Sequence, residues 1–226
     1  MDERLRHNRP SLFLWGDALL SIIQAAGWPI WPLLVCSVVA LAVIIERVLS
    51  LRLHLVTPPG LLNQAIQASQ TSLPSDEVII QLEQHSALGK VLASGWQALQ
   101  TNPHMNDVDL RYSMEVSGRE VAHGLEKNLS TLATIASAAP LLGLLGTVIG
   151  MIDIFGSQAP GTSNPAQLAQ GISMALYNTA FGLIVAIPAL MFWRFLRARV
   201  EAYVLELELD AERFARHLLV LRSKLR

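Results

Sequence analysis

Charged residues are scarce in this chain. Only 15% of its 226 residues are Asp, Glu, Lys or Arg, against about 25% in an ordinary soluble domain. Hydrophobic residues make up 52%, and the mean hydropathy is +0.40, so the deficit argues for a protein that lives in lipid. Cysteine is nearly absent: Cys36, inside an apolar run, is the one. A single thiol builds neither an internal disulfide nor a cysteine metal site, and it reads as a small core or lipid-facing residue. A basic surface is missing too. Net charge is −1, and the Lys and Arg residues form no stripe interleaved with aromatics, so nucleic-acid binding has no support. The start, MDERLRHNRPSLFLWGDALLSIIQAAG, turns apolar without a small-x-small cleavage site before a polar stretch, and no removable signal is expected.

What the chain has in abundance is long apolar runs. A helix crosses a bilayer in about 20 residues, and three runs are long enough. The expected layout is an all-α membrane protein in seven segments. Residues 1–27 form an interfacial segment, amphipathic over Leu12 to Ile23 and set about by Trp15, Trp28 and Trp31, a residue type that gathers at the membrane–water boundary. Residues 28–50 are the first span. Residues 51–130 are a helical extramembrane region, 131–155 the second span, 156–170 a short loop, 171–196 the third span, and 197–226 a C-terminal helix. The short loop has no Lys or Arg, whereas Arg194, Arg197, Arg199, Arg213, Arg216, Arg222, Lys224 and Arg226 crowd the tail. The positive-inside rule then places the tail in the cytoplasm and the loop outside. Three crossings put the N-terminus outside and residues 51–130 inside. Arg4, Arg6 and Arg9 weigh mildly the other way; the contrast between loop and tail decides.

The cytoplasmic stretches read as helices. SDEVIIQLEQHSALGKVLASGWQAL opens on a capping pattern at Ser75. NDVDLRYSMEVSGREVAHGLEKNLSTLATIASAAP is expected to run unbroken into the second span. The tail repeats Val200, Val204, Leu207, Ala211, Phe214, Leu218 and Leu225 near a heptad spacing. Charged faces there read as solvated helix surface. His54, His85, His104, His123 and His217 lack metal-ligand spacing and read as surface residues.

The second span carries an unusual load. APLLGLLGTVIGM, Ala139 to Met151, holds Pro140, Gly143, Gly146 and Gly150. Inside a helix, glycine costs roughly 1 kcal/mol and proline about 3 against alanine. The third span answers with Gly171, Ala175, Asn178, Thr179, Gly182, Ala186, Pro188 and Ala189. Small residues let helices approach closely in lipid, where burying apolar surface drives association little, and plain helix packing accounts for that much. Polar placement adds something. At about 1.5 Å per residue, Thr147 lies roughly 13 Å below Gly156, and Thr179 roughly 12 Å below Gly171. Pro140 and Pro188 match as well, at roughly 24 and 25 Å. Two hydroxyls at one level suggest a shared, partly polar lumen. Asn178 either adds a polar group there or bonds a neighbouring helix. Neither span has a carboxylate at mid-depth: Asp153 is about 5 Å from the outer end, and Glu46 sits near the inner end of the first span. A proton path normally needs a titratable group within the membrane, so a partner would have to supply it.

APLLGLLGTVIGMI followed by GISMALYNTAFGLIVAIPAL resembles the paired signature of the ExbB/TolQ/MotA proton-channel family. The three-span layout resembles the ExbB/TolQ branch, since MotA has four spans. The resemblance covers nearly the whole chain. It implies a bacterial inner-membrane protein, five copies of which surround a dimer of a single-span partner, ExbD or TolR. That partner carries the essential transmembrane aspartate, and a TonB- or TolA-like protein completes such systems. The family's pore threonines fall on Thr147 and Thr179. One departure stands out: the branch usually has a glutamate where this chain has Met174, in GISMAL. The implied activity is proton-driven motor work on TonB-dependent transport, with a TolQ-like envelope motor as the alternative. A passive membrane scaffold would satisfy the small-faced packing alone. An intramembrane enzyme is disfavoured, because the spans hold no paired aspartates and no serine–lysine or serine–histidine arrangement. No catalytic residue, metal ligand or cofactor is expected.

Overall fold

Several helices begin where glycine turns the chain, where a side chain caps a free amide, or where proline has no amide to satisfy. In the computed structural model, which describes residues 27–70, 73–156 and 165–224, all the regular elements are α-helices. Gly27, at φ 72°, turns the chain into α1, Ile30–Ser50. Two short helices follow, α2 at Leu53–Val56 and α3 at Leu61–Ala68; Gly60, at φ 84°, starts α3 from the left-handed region open to glycine. Next come α4, Asp76–His85, and α5, Ala87–Thr101. Ser75 stands at the N-cap of α4, yet its hydroxyl makes no capping bond. Side-chain caps stand at Ser86, whose Oγ accepts from Gly89 N at 3.0 Å, and at Asn106, whose Oδ1 accepts from Asp109 N at 2.7 Å. Asn106 opens α6, Asp107–Glu126, with Asp107 and Asp109 at the positive end of its dipole.

The expected unbroken run into the second span is interrupted. Lys127 leaves the helix at ψ 139°, Asn128 takes φ 64°, and α7, Leu129–Gly156, starts afresh. The third long helix, α8, runs from Pro165 to Lys224. It therefore begins inside the expected loop of 156–170, with proline in the first turn, where its missing N–H is harmless. The interfacial segment over Leu12 to Ile23 and most of that loop lie outside the described residues.

Among the described residues, three stretches are long and apolar enough to cross a membrane: α1, part of Asp107–Gly156, and part of α8. The protein is thus an all-α membrane protein with three candidate spans. Contacts divide the chain into two units. The first comprises the described residues of Met1–Ile44 and Thr131–Phe192. In it α1 buries Ile30, Leu33 and Ala40, while Val35, Val38 and Leu41 on its other side are more than half exposed, as a lipid-facing surface would be. The second unit comprises Ile45–Ser130 and Trp193–Arg226. Its core is Trp96 edge-on to Phe214, ring centroids 5.5 Å apart, with Leu88, Leu92, Leu110 and Leu218 fully buried around them. Gly95 lets α5 approach this core: a Cβ there would meet Leu218 and Met114 at 3.0 Å.

Candidate functional site

Within the first unit, α7 and the membrane part of α8 meet along the small-residue faces. A Cβ built on Gly182 would stand 2.6 Å from the carbonyl oxygen of Ala139 and 3.2 Å from Gly143 Cα. One on Gly143 would stand 2.8 Å from the Asn178 carbonyl oxygen and 3.0 Å from Thr179 Cα. These are backbone-to-backbone approaches, so glycine is required at both positions. Further along, Gly146 faces the Asn178 side chain, with its Cβ position 2.8 Å from Asn178 Cβ, and Gly150 faces Ala175 at 3.1 Å. Gly171 faces the Ile154 side chain, with its Cβ position 2.5 Å from Ile154 Cγ1. The partners run up one helix and down the other, so the two helices are antiparallel. Pro140 is half-buried on α7 and Pro188 is exposed on α8.

The polar residues divide in two. Asn178 is 2% exposed and packed on Gly146. Thr179 Oγ1 donates across the helix pair to the Gly143 carbonyl at 3.2 Å. Thr147 points elsewhere. It is partly exposed, its hydroxyl donates to Leu144 O of its own helix at 2.7 Å, and it lines an open groove with Val148, Met151, Ile152 and Phe155. The structure therefore brings Asn178 and Thr179 together with Gly143 and Gly146, and leaves Thr147 on the outward face of α7. A hydroxyl that has donated its proton still offers lone pairs, so both threonines can accept a hydrogen bond. Met174 is half-buried.

Several polar contacts escaped the sequence reading, because nothing in residue spacing announces a long-range bond. Arg47, on α1, is 4% exposed. Tyr203 OH donates to Leu51 O at 3.2 Å, and Thr57 Oγ1 donates to Glu206 at 3.0 Å. His217 is a correction: it is half-buried, lies 3.2 Å from Ser69 Oγ and stacks on Phe214. His54, His85, His104 and His123 are exposed. Asp210, in the C-terminal part of α8, has its carboxyl held above the usual range by burial first and by the Glu206 charge as well, against the opposing pull of Arg213.

Residues 83–209 match the model of the MotA/TolQ/ExbB proton channel family. The chain is similar to the "Biopolymer transport protein exbB1" of Vibrio cholerae serotype O1, 33% identical over 178 residues, which is 76% of either protein. It is also similar to the "Biopolymer transport protein ExbB" of Aquifex aeolicus, 42% identical over 87 residues, covering 37% of this chain and 57% of that one. The "Tol-Pal system protein TolQ" of Haemophilus influenzae is 37% identical over 108 residues, 46% of this chain and 47% of that protein. The match takes in α5, α6, α7 and most of α8, and the chain belongs to the MotA/TolQ/ExbB proton channel family.

Proposed function

We propose that the chain is the channel-forming subunit of a proton-motive-force-driven motor in the bacterial inner membrane. Five copies enclose a dimer of an ExbD/TolR-like single-span protein, and the assembly energises TonB-dependent outer-membrane transport. The N-terminus is periplasmic and the C-terminus cytoplasmic. The observation that carries this reading is the α7–α8 pair: two antiparallel helices locked by glycine, with a hydroxyl at Thr147 left on an open face and no carboxylate at that depth. Such a wall can carry a proton's path and cannot titrate, so the charge belongs to the partner's aspartate. Thr147 and Thr179 hydrate and orient that carboxylate, Asn178 supports the same level, and Pro140, Gly143, Gly146, Gly150, Gly171, Gly182 and Pro188 shape the wall.

The longer match to an ExbB protein than to a TolQ protein favours TonB-linked work over envelope constriction. Co-expression with the single-span protein, followed by native mass measurement of the extracted complex, tests the stoichiometry; a monomer would remove the motor reading. Thr147→Val with Thr179→Val tests the path, since valine keeps the shape and loses the hydroxyl. A correctly assembled double variant is expected to lose proton-dependent uptake. Full uptake would refute the pore assignment.

A further inference from the structure

In the second unit α6 ends at Glu126 and α7 begins at Leu129. The local sequence, GLEKNLSTL from Gly124, has no proline, and its glycine falls inside α6 rather than at the stop. Asn128 nevertheless takes φ 64°, the left-handed region that asparagine visits more readily than most side chains but that no helix interior uses. In an unbroken helix the carbonyls of Gly124 and Leu125 would accept from the amides four residues on, those of residues 128 and 129. Here the same two carbonyls accept from Arg47 Nη1 on α1, at 3.4 and 3.3 Å. Arg47 is buried, and its Nε and Nη2 are held by Glu46 at 2.7 and 2.5 Å. Glu46 reaches the other side of the break, accepting from Asn128 Nδ2 at 3.3 Å. One pair of adjacent side chains therefore grips the chain before and after Lys127. The arrangement suits both parties: the last carbonyls of α6 carry the negative end of its dipole, and a buried guanidinium needs acceptors for all its donors.

We propose that the Lys127–Asn128 break is a two-state joint, latched in its broken form by Glu46 and Arg47, and that its other state is a continuous helix through residues 124–130. The two states differ in what satisfies two carbonyls: an arginine in one, backbone amides in the other. Neither leaves them bare, so the latch shifts the balance between them. The proposal concerns backbone conformation and stands apart from the motor reading.

Backbone carbon and nitrogen chemical shifts at position 128 separate left-handed from right-handed helical residues, and they can be read by magnetic resonance on the full chain in lipid nanodiscs. The unsubstituted chain should show Asn128 left-handed. Arg47→Gln should move the larger population to right-handed helical shifts. Arg47→Lys, which keeps a charged donor, should leave Asn128 left-handed. Adding Asn128→Gly to Arg47→Gln should restore the break, since glycine takes the left-handed conformation without steric cost. Left-handed shifts that persist in Arg47→Gln would overturn the latch. So would loss of ordered signals from residues 124–130 in both arginine variants, which would make Arg47 a prop for folding and nothing more.

Discussion

Gly182→Ala is the smallest change that tests the packing of α7 on α8. The added methyl would stand 2.6 Å from the Ala139 carbonyl oxygen, about 0.8 Å short of ordinary contact. The obstacle is backbone, which cannot swing aside as a side chain would, so the helices must part. Overpacking of this kind costs about 1–3 kcal/mol. Parting by most of 1 Å also stretches the Thr179 Oγ1 to Gly143 O bond beyond its 3.2 Å, and an interhelical hydrogen bond in a membrane is worth about 0.6 kcal/mol. Together the loss should be about 2–4 kcal/mol. Two other glycines serve as controls. At Gly171 the methyl would stand 2.5 Å from Ile154 Cγ1, a β-branched side chain rather than backbone, and at Gly118 it meets nothing within 4 Å. Gly171→Ala should cost less than Gly182→Ala, because a side chain can give where a backbone carbonyl cannot, though the stiff χ1 of isoleucine keeps it from being free. Gly118→Ala should stabilise by up to about 1 kcal/mol, because alanine suits a helix interior better than glycine. Reversible unfolding in mixed micelles, monitored by circular dichroism, ranks the three. If Gly182→Ala proved as harmless as Gly118→Ala, the close backbone approach inferred for this pair would be refuted.

The two threonines should separate in the same assay. Thr179→Val breaks a bond between helices and should cost about 0.6 kcal/mol, whereas Thr147→Val removes only a bond within its own helix and should leave stability unchanged; equal losses would contradict the geometry. Asp210 is the pH probe. Its carboxyl is raised by burial, so its contribution is most favourable below the unfolded carboxylate range and is lost as pH rises through the folded value. Asp210→Asn should therefore raise the Tm at neutral pH and have little effect in acid, and the opposite trend would show that the pull of Arg213 outweighs burial. In a Cys36→Ser background, cysteines placed at Ser163 and Ser223 should be labelled from opposite faces of the membrane, Ser163 from outside. Labelling of both from one face would overturn the three-span topology.

Local pattern made much of the fold legible. Membrane helices announce themselves by length and hydropathy because lipid cannot satisfy a bare backbone, so the three candidate spans could be read from sequence alone. The small faces of α7 and α8 were legible too, since residues three and four apart lie on one side of a helix. Tertiary structure decided what those faces do. Sequence spacing put Thr147 and Thr179 at one depth, but depth says nothing of direction around the helix. The structure turns Thr179 onto the Gly143 carbonyl and Thr147 away from the pair. The stop of α6 shows the same limit. Asn128 after Lys127 permits a helix to stop but does not require it, and what holds the break, Arg47, lies 77 residues away from Gly124 along the chain. His217 looked like a solvated residue until Ser69, 148 residues away, was found beside it. Helix type and small-faced periodicity are properties of a short stretch of chain, fixed by backbone hydrogen bonding and side-chain volume. The partner of a polar group is a property of what folding brings alongside it, and only the tertiary structure supplies that.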